Sequence, residues 1–112
     1  MPRAITIPPP VTLRNALTGR PTEDAPATFA QTVSGMCLNI LRRQALAALD
    51  AIDLRERLAA SEGDVVTISD AQYEALAAEA RCPVGFELYA VLCLGPHLQA
   101  IVNAETVDGT AG

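Results

Sequence analysis

The chain has 112 residues, 50% of them apolar, 4% aromatic and 19% charged, with no Trp and a formal net charge of −5. That length suits one domain with a modest core, and a core short of aromatics has to be built from Ala, Leu, Val and Ile. All 8 basic residues are Arg, set against 13 acids, so no chain-wide positive field is available for a phosphate backbone; this speaks against nucleic acid as the main partner.

The opening M-P-R-A-I-T-I-P-P-P has no signal-peptide apolar core, because prolines interrupt it after two isoleucines. The longest apolar stretch, residues 84–94, contains Glu87 and is too short to span a bilayer. Three Cys at no known scaffold spacing fit a reducing compartment. A soluble, intracellular protein with no membrane partner is expected. Residues 1–28 hold most of the prolines and no helical period. Residues 4–7 and 11–14 read as extended pieces separated by Pro8, Pro9 and Pro10, which donate no ladder hydrogen bonds and favour polyproline II. After Val11 the chain V-T-L-R-N-A-L-T-G-R-P-T-E-D-A-P-A-T-F predicts a loose β-hairpin around Thr18-Gly19-Arg20-Pro21, with residues 65–68 as a candidate third strand.

Thr28, followed three residues later by Gln31, predicts a capping box at the start of the first helix. Phe29, Val33, Met36, Cys37, Ile40 and Leu41 then recur as one apolar stripe, and Arg42, Arg43 and Gln44 follow as polar cover. The pattern continues through Leu46, Leu49 and Ile52 to Leu54 and Leu58. Asp50 and Asp53 can each cap a new start, so a break is expected within residues 48–53. Arg55, Glu56 and Arg57 form a charged face before Ser61-Glu62-Gly63-Asp64 stops the helix.

Residues 63–81, G-D-V-V-T-I-S-D-A-Q-Y-E-A-L-A-A-E-A-R, are the best-specified stretch: a turn, a β-branched strand, and a helix with Ser69 and Gln72 as its capping box. Tyr73, Leu76, Ala77 and Ala80 make its apolar stripe, with Asp70, Glu74 and Glu79 off it. Cys82-Pro83-Val84-Gly85 connects to a last helix over residues 86–104, apolar nearly all round at first and kinked at Gly95-Pro96. Residues 105–112 are small, polar and expected to fray. The expected fold is α+β and mainly α-helical. It comprises an arm and hairpin over 1–28, a domain of about four helices over 29–104 with a strand at 65–68, and a polar tail over 105–112.

Cys37, Cys82, Cys93 and His97 supply the count of a Cys3His zinc site, but no Cys-x2-Cys knuckle brings two of them together. On apolar stripes, free Cys acts as a small hydrophobe. Cys93 and His97 share a helical face, yet a nucleophilic thiol needs a polar, partly exposed pocket and this stretch is among the most apolar. The acid pairs Asp50 with Asp53 and Asp70 with Glu74 fall at helix starts, where carboxylates favour the positive end of the dipole. Arg42, Arg43, Arg55 and Arg57 lack the Gly-containing turn and polar recognition helix of a helix-turn-helix. No Gly-rich phosphate loop or Gly-x-Ser-x-Gly elbow occurs. The expectation is a non-enzymatic chain with no catalytic residue, metal, cofactor or small-molecule substrate.

The order I-T-I-P-x-P-V-T-L, a downstream T-G turn, P-A-T-F at a helix start, G-D-V-V-T-I-S-D-A-Q-Y-E-A-L and a C-terminal apolar helix resembles small accessory proteins encoded among the virion-morphogenesis genes of tailed bacteriophages. The resemblance covers most of the chain. It implies a virion structural or assembly role, a location in the bacterial host cytoplasm and the virion, and partners that are further copies or other virion proteins. The apolar surplus points the same way, toward self-association. The expected interface residues are Ile5, Ile7, Val11 and Leu13 on an arm that adds a strand to a neighbour, and Phe86, Tyr89 and Leu92 on the last helix. The alternative is a small helical regulatory protein that binds DNA or inhibits another protein.

Overall fold

A computed structural model of the chain describes residues 2–14, 18–21, 26–83 and 88–107. The fold is α+β and mainly helical, as expected, with helices packed beside a small antiparallel sheet. The sheet has a different make-up from the one expected. Strand β1 (Arg3–Thr6) pairs with β2 (Val65–Ile68), Ile5 opposite Val66. On its other edge β1 pairs with β3 (Glu105–Thr106), Arg3 opposite Thr106, so the strand order is β2-β1-β3. A segment read as a free arm is therefore the middle strand, and part of the tail read as frayed is its edge partner. The physical reason is that β1 has two rows of backbone donors and acceptors and buries Ile5 and Ile7, so both rows need partners away from water. Bonds from Ile7 N–H to the Asp64 carbonyl (2.8 Å) and from Gly63 N–H to the Ile7 carbonyl (2.9 Å) extend the pairing into the turn, where Gly63 adopts φ +88°.

The hairpin expected after Val11 is present as two isolated bridges, Val11 with Ala27 and Arg14 with Pro21. Gly19, at φ +67°, lies inside that loop and its carbonyl accepts from Arg14. Residues 65–68 join β1 rather than this hairpin.

Helix α1 (Phe29–Arg42) and helix α3 (Asp70–Arg81) both begin with the capping boxes read from the sequence, Thr28 with Gln31 and Ser69 with Gln72. Between them runs α2 (Ala48–Arg57). The break before α2 falls at residues 43–47, earlier than expected, and neither Asp50 nor Asp53 caps it: the N-cap is Ala47, with no side-chain hydrogen bond. What stops α1 is a left-handed turn at Gln44 (φ 56°), with Gln44 N–H bonded to the Leu41 carbonyl and Ala45 N–H to that of Ile40, both bonds of a Schellman closure.

The last helix, expected as one kinked rod, is two: α4 (Leu88–Cys93) and α5 (Gly95–Val102), joined at Leu94. Pro96 stands in the first turn of α5, where its missing N–H leaves no helical bond unmade, so Gly95-Pro96 starts a helix instead of bending one. The core gathers Ile5, Val33, Met36, Ile40, Leu54 and Leu76 among others, and α3 closes it by packing against α1, α2 and α5. Among the described residues, no helix is long and apolar enough to cross a membrane.

Candidate interaction surface

Because Ser34 on α1 meets Arg55 near the far end of α2 (Arg55 Nε donates to Ser34 Oγ, 3.2 Å), the two helices form an antiparallel hairpin closed by the Gln44 turn. Phe29, Val33, Met36, Cys37 and Ile40 face inward on α1, and Ala51 and Leu54 on α2. Leu41, Leu49 and Ile52, read from the sequence as members of the buried stripe, face solvent together with Leu38. Their exposures are 57% for Leu38, 38% for Leu41, 79% for Leu49 and 48% for Ile52. A groove of about 240 Å³ runs between the helices, lined by Leu38, Leu41, Ala51, Ile52 and Arg55, with Ser34 and Cys37. Cys37 is buried beside it, and burial pushes its thiol up to about 11 against the weaker pull of the Arg55 charge; it is a protonated thiol at neutral pH.

Of the interface residues expected from sequence, Ile5 and Ile7 lie in the chain's own core, at 0% and 3% exposure. They are corrected from free-arm residues to core residues. Val11 and Leu13 are half-buried, and Val11 exchanges backbone bonds with Ala27. Phe86 and the side chain of Tyr89 lie outside the described residues, while Leu92 is 74% exposed. The solvent-facing leucines of the hairpin do not follow from a single apolar stripe through α2. Its apolar residues in fact form two, Ala51, Leu54 and Leu58 on one side and Leu49 with Ile52 on the other.

The groups considered for chemistry are held apart. His97 on α5 is fully buried: its Nδ1 lies 2.9 Å from Thr32 Oγ1, its Nε2 lies 2.9 Å from the Pro9 carbonyl oxygen, and the Phe29 ring meets it edge to face at 5.5 Å. A carbonyl can only accept, so Nε2 carries the proton that it donates to Pro9, and Nδ1 accepts from the Thr32 hydroxyl. The imidazole is thus a clip tying the Pro-rich segment to α1 and α5. Burial holds its pKa below 6.5, opposed by the Pro9 bond. A lowered folded value means that the unfolded chain takes up the proton first. Stability is therefore expected to be full above pH 6.5 and to fall as pH drops from there through the folded value. With one His in the chain, NMR titration of the ring checks this directly, and a folded ring titrating at or above 6.5 would refute it.

Cys93 sits on α4, across the Leu94 joint from His97, and Cys82 is exposed at the end of α3. Among the described residues, no three His, Cys, Asp or Glu side chains are placed to hold a metal ion. Asp53 accepts from Arg57 Nε (2.8 Å) and from Gln72 Nε2 (3.0 Å), and these bonds, that of Gln72 first, hold its carboxyl below the usual range. Gln72 also donates to the Asp50 carbonyl, so it ties α2 to α3. Glu79, expected off the apolar stripe, has 0% exposure. Its Oε1 lies 2.5 Å from Nη2 of half-exposed Arg43, a charge contact without the alignment of a hydrogen bond, and among the described residues its Oε2 has no hydrogen-bond partner. Of the four Arg considered as a basic patch, three are engaged: Arg43 by Glu79, Arg55 by Ser34, and Arg57 by Asp53 and the Thr67 carbonyl. Compared with known family models, curated proteins and solved structures, the chain shows no significant match to any of them.

Proposed function

We propose that this chain is a non-enzymatic protein–protein interaction subunit that acts in building a virion of the tailed-phage type. The observation that carries the first part is the solvent-facing apolar surface of the α1–α2 hairpin. Leu38, Leu41 and Ile52 line one groove instead of being scattered singly, and exposed Leu49 stands one helical turn before Ile52; contiguous apolar patches on small domains mark interaction sites. The virion setting rests on the resemblance of the opening, capping and turn segments described above, and with it the location in the bacterial host and the particle. DNA binding has less support, because Arg43, Arg55 and Arg57 already engage groups of the chain itself.

The test is the double variant Leu38→Asp/Ile52→Asp, assayed for association with itself and with any capsid, connector and tail proteins of the genome that encodes it. Both positions are exposed, so the circular dichroism spectrum is expected to match that of the parent while a complex formed by the parent is lost. Equal association of parent and variant, or no complex of the parent with any of these proteins or with itself, overturns the proposal.

A further inference from the structure

The segment that leaves β1, residues 8–14, runs past α1 and α5 as a strap. None of its residues is buried: Pro8, Val11 and Leu13 are half-buried and the others are exposed. Pro8, Pro9 and Pro10 have no N–H, so over three residues the strap can only accept hydrogen bonds. Among the described residues it bonds in three places, Val11 with Ala27, Arg14 with the Gly19 carbonyl, and the Pro9 carbonyl with His97, and of these only the last joins it to a helix. A hollow of about 170 Å³, lined by Pro8 and Pro10 together with Phe29, Ala30 and Ala60, leaves the strap loosely packed there.

His97, at the other end of that bond, has no exposed surface, and the groups that touch it, Phe29, Thr32 and Pro9, carry no charge. Neither α4 nor α5 contains Asp, Glu or Arg. Arg42 of α1 stands ten residues past Thr32, about 15 Å at the helical rise, and Glu79 of α3 is engaged by Arg43, one residue further still. Arg3 of β1 lies over the Tyr73 ring and Arg14 of the strap is turned to Gly19, while Glu62 at the hollow and Asp70, Glu74 and Arg81 of α3 are exposed. A protonated ring can keep both of its hydrogen bonds, because the Thr32 hydroxyl can turn its own proton to the Thr28 carbonyl, 3.4 Å away. What such a ring lacks in the closed structure is an opposite charge or water.

We propose that His97 is the latch of a strap released locally by acid: when the ring takes up a proton, residues 8–14 lift from α1 and α5 and uncover His97 and Phe29, while the sheet and the helices stay folded. Lifting a segment that buries little surface brings water to the ring at less cost than unfolding the body does, and such segments form the low-stability end of a fold. The Val11–Ala27 bridge goes with the strap, since two bonds of an isolated pairing do not stand alone in water. The direction follows from linkage. With the strap lifted the ring has the ordinary value of 6.5; burial holds the latched value below it, opposed by the Pro9 bond. Opening is therefore independent of pH above 6.5 and grows as pH falls from there toward the latched value.

Amide hydrogen exchange of the full chain, expressed as protection relative to the intrinsic rate at each pH, tests this. Val11 and Ala27 report the strap, and Tyr73 and Leu58, bonded within α3 and at the end of α2, report the body. At about pH 7.5 the strap amides should be protected at least about tenfold less than the body amides, and dilute urea should leave their exchange unchanged, the mark of a local opening. Between about pH 7.5 and 5.5 their protection should fall at least about threefold, against a ceiling of about elevenfold for a latched ring that takes up no proton. His97→Gln supplies a neutral donor to Pro9 and an acceptor to Thr32, so its strap amides should be protected equally at both pH values, within about twofold. Strap amides that exchange only together with Tyr73 and Leu58 would show that no separate opening exists. A parent whose strap protection is flat through pH 6.5 would overturn the latch without any variant, and a fall repeated unchanged in His97→Gln would place the sensor elsewhere and overturn it too.

Discussion

Replacing Arg43 with Ala is expected to lower the free energy of unfolding by about 2–3 kcal/mol, a large effect for a residue that is half exposed. The cause lies in its partner. Glu79 has no exposed surface, and among the described residues Arg43 supplies the one opposite charge in contact with its carboxylate. Removing one member of a buried pair leaves an uncompensated charge, which costs about 3–5 kcal/mol in full burial. The lower figure here reflects the exposure of Arg43, whose removal lets water approach. Urea unfolding followed by circular dichroism, with an unchanged dependence on denaturant, reads the loss. Adding Glu79→Gln in the Arg43→Ala background should recover part of it, because a neutral amide is cheaper to bury than a lone carboxylate. A loss below about 0.5 kcal/mol, or a double variant no more stable than the single one, would show that Glu79 does not depend on Arg43.

Ile5→Ala is expected to cost about 3 kcal/mol, with the thermal midpoint lowered by about 13 °C for a chain of this size. Ile5 is wholly buried on the middle strand, so the substitution opens a cavity between the sheet and the helices and loosens the strand that joins β2 and β3. Leu13→Ala, on a half-buried residue outside the sheet, is the control and should cost under about 1 kcal/mol. Deleting residues 1–10 should go further and abolish cooperative unfolding, since neither β2 nor β3 has another strand to pair with among the described residues. A truncated chain that kept a cooperative transition near the parent's would contradict the central place of β1.

The candidate surface was legible in the sequence only as a surplus of apolar residues with no stated location. Composition supplies more Leu, Val and Ile than a small core needs, and helical periodicity alone places them on one buried stripe per helix. The turn at Gln44 decides otherwise. It ends α1 by a left-handed residue and returns α2 at an angle that puts Ala51 and Leu54 inward, leaving Leu49 and Ile52 outside beside Leu38. A non-Gly residue in that conformation has no strong sequence signal. Glu79 is buried against its sequence pattern for a related reason. A charged residue off one stripe is normally solvated, but α3 is flanked by three helices and buries a wider arc than a single stripe describes.

By itself the sequence determined the local events: where α1 and α3 begin, that residues 65–68 are extended, that Gly63 turns the chain, and that the protein is α+β and mostly helical. Each depends on side chains within a few residues of one another, as when Ser69 and Gln72 exchange bonds across a single turn. Only the tertiary structure decided which strands pair, that an apparent arm is the sheet's centre, that His97 clips Pro9, and which leucines remain outside. Those outcomes turn on groups far apart in the chain, Arg3 beside Thr106 and His97 beside Pro9. Backbone donors and apolar side chains take the partners that burial brings to them, and that choice belongs to the whole fold.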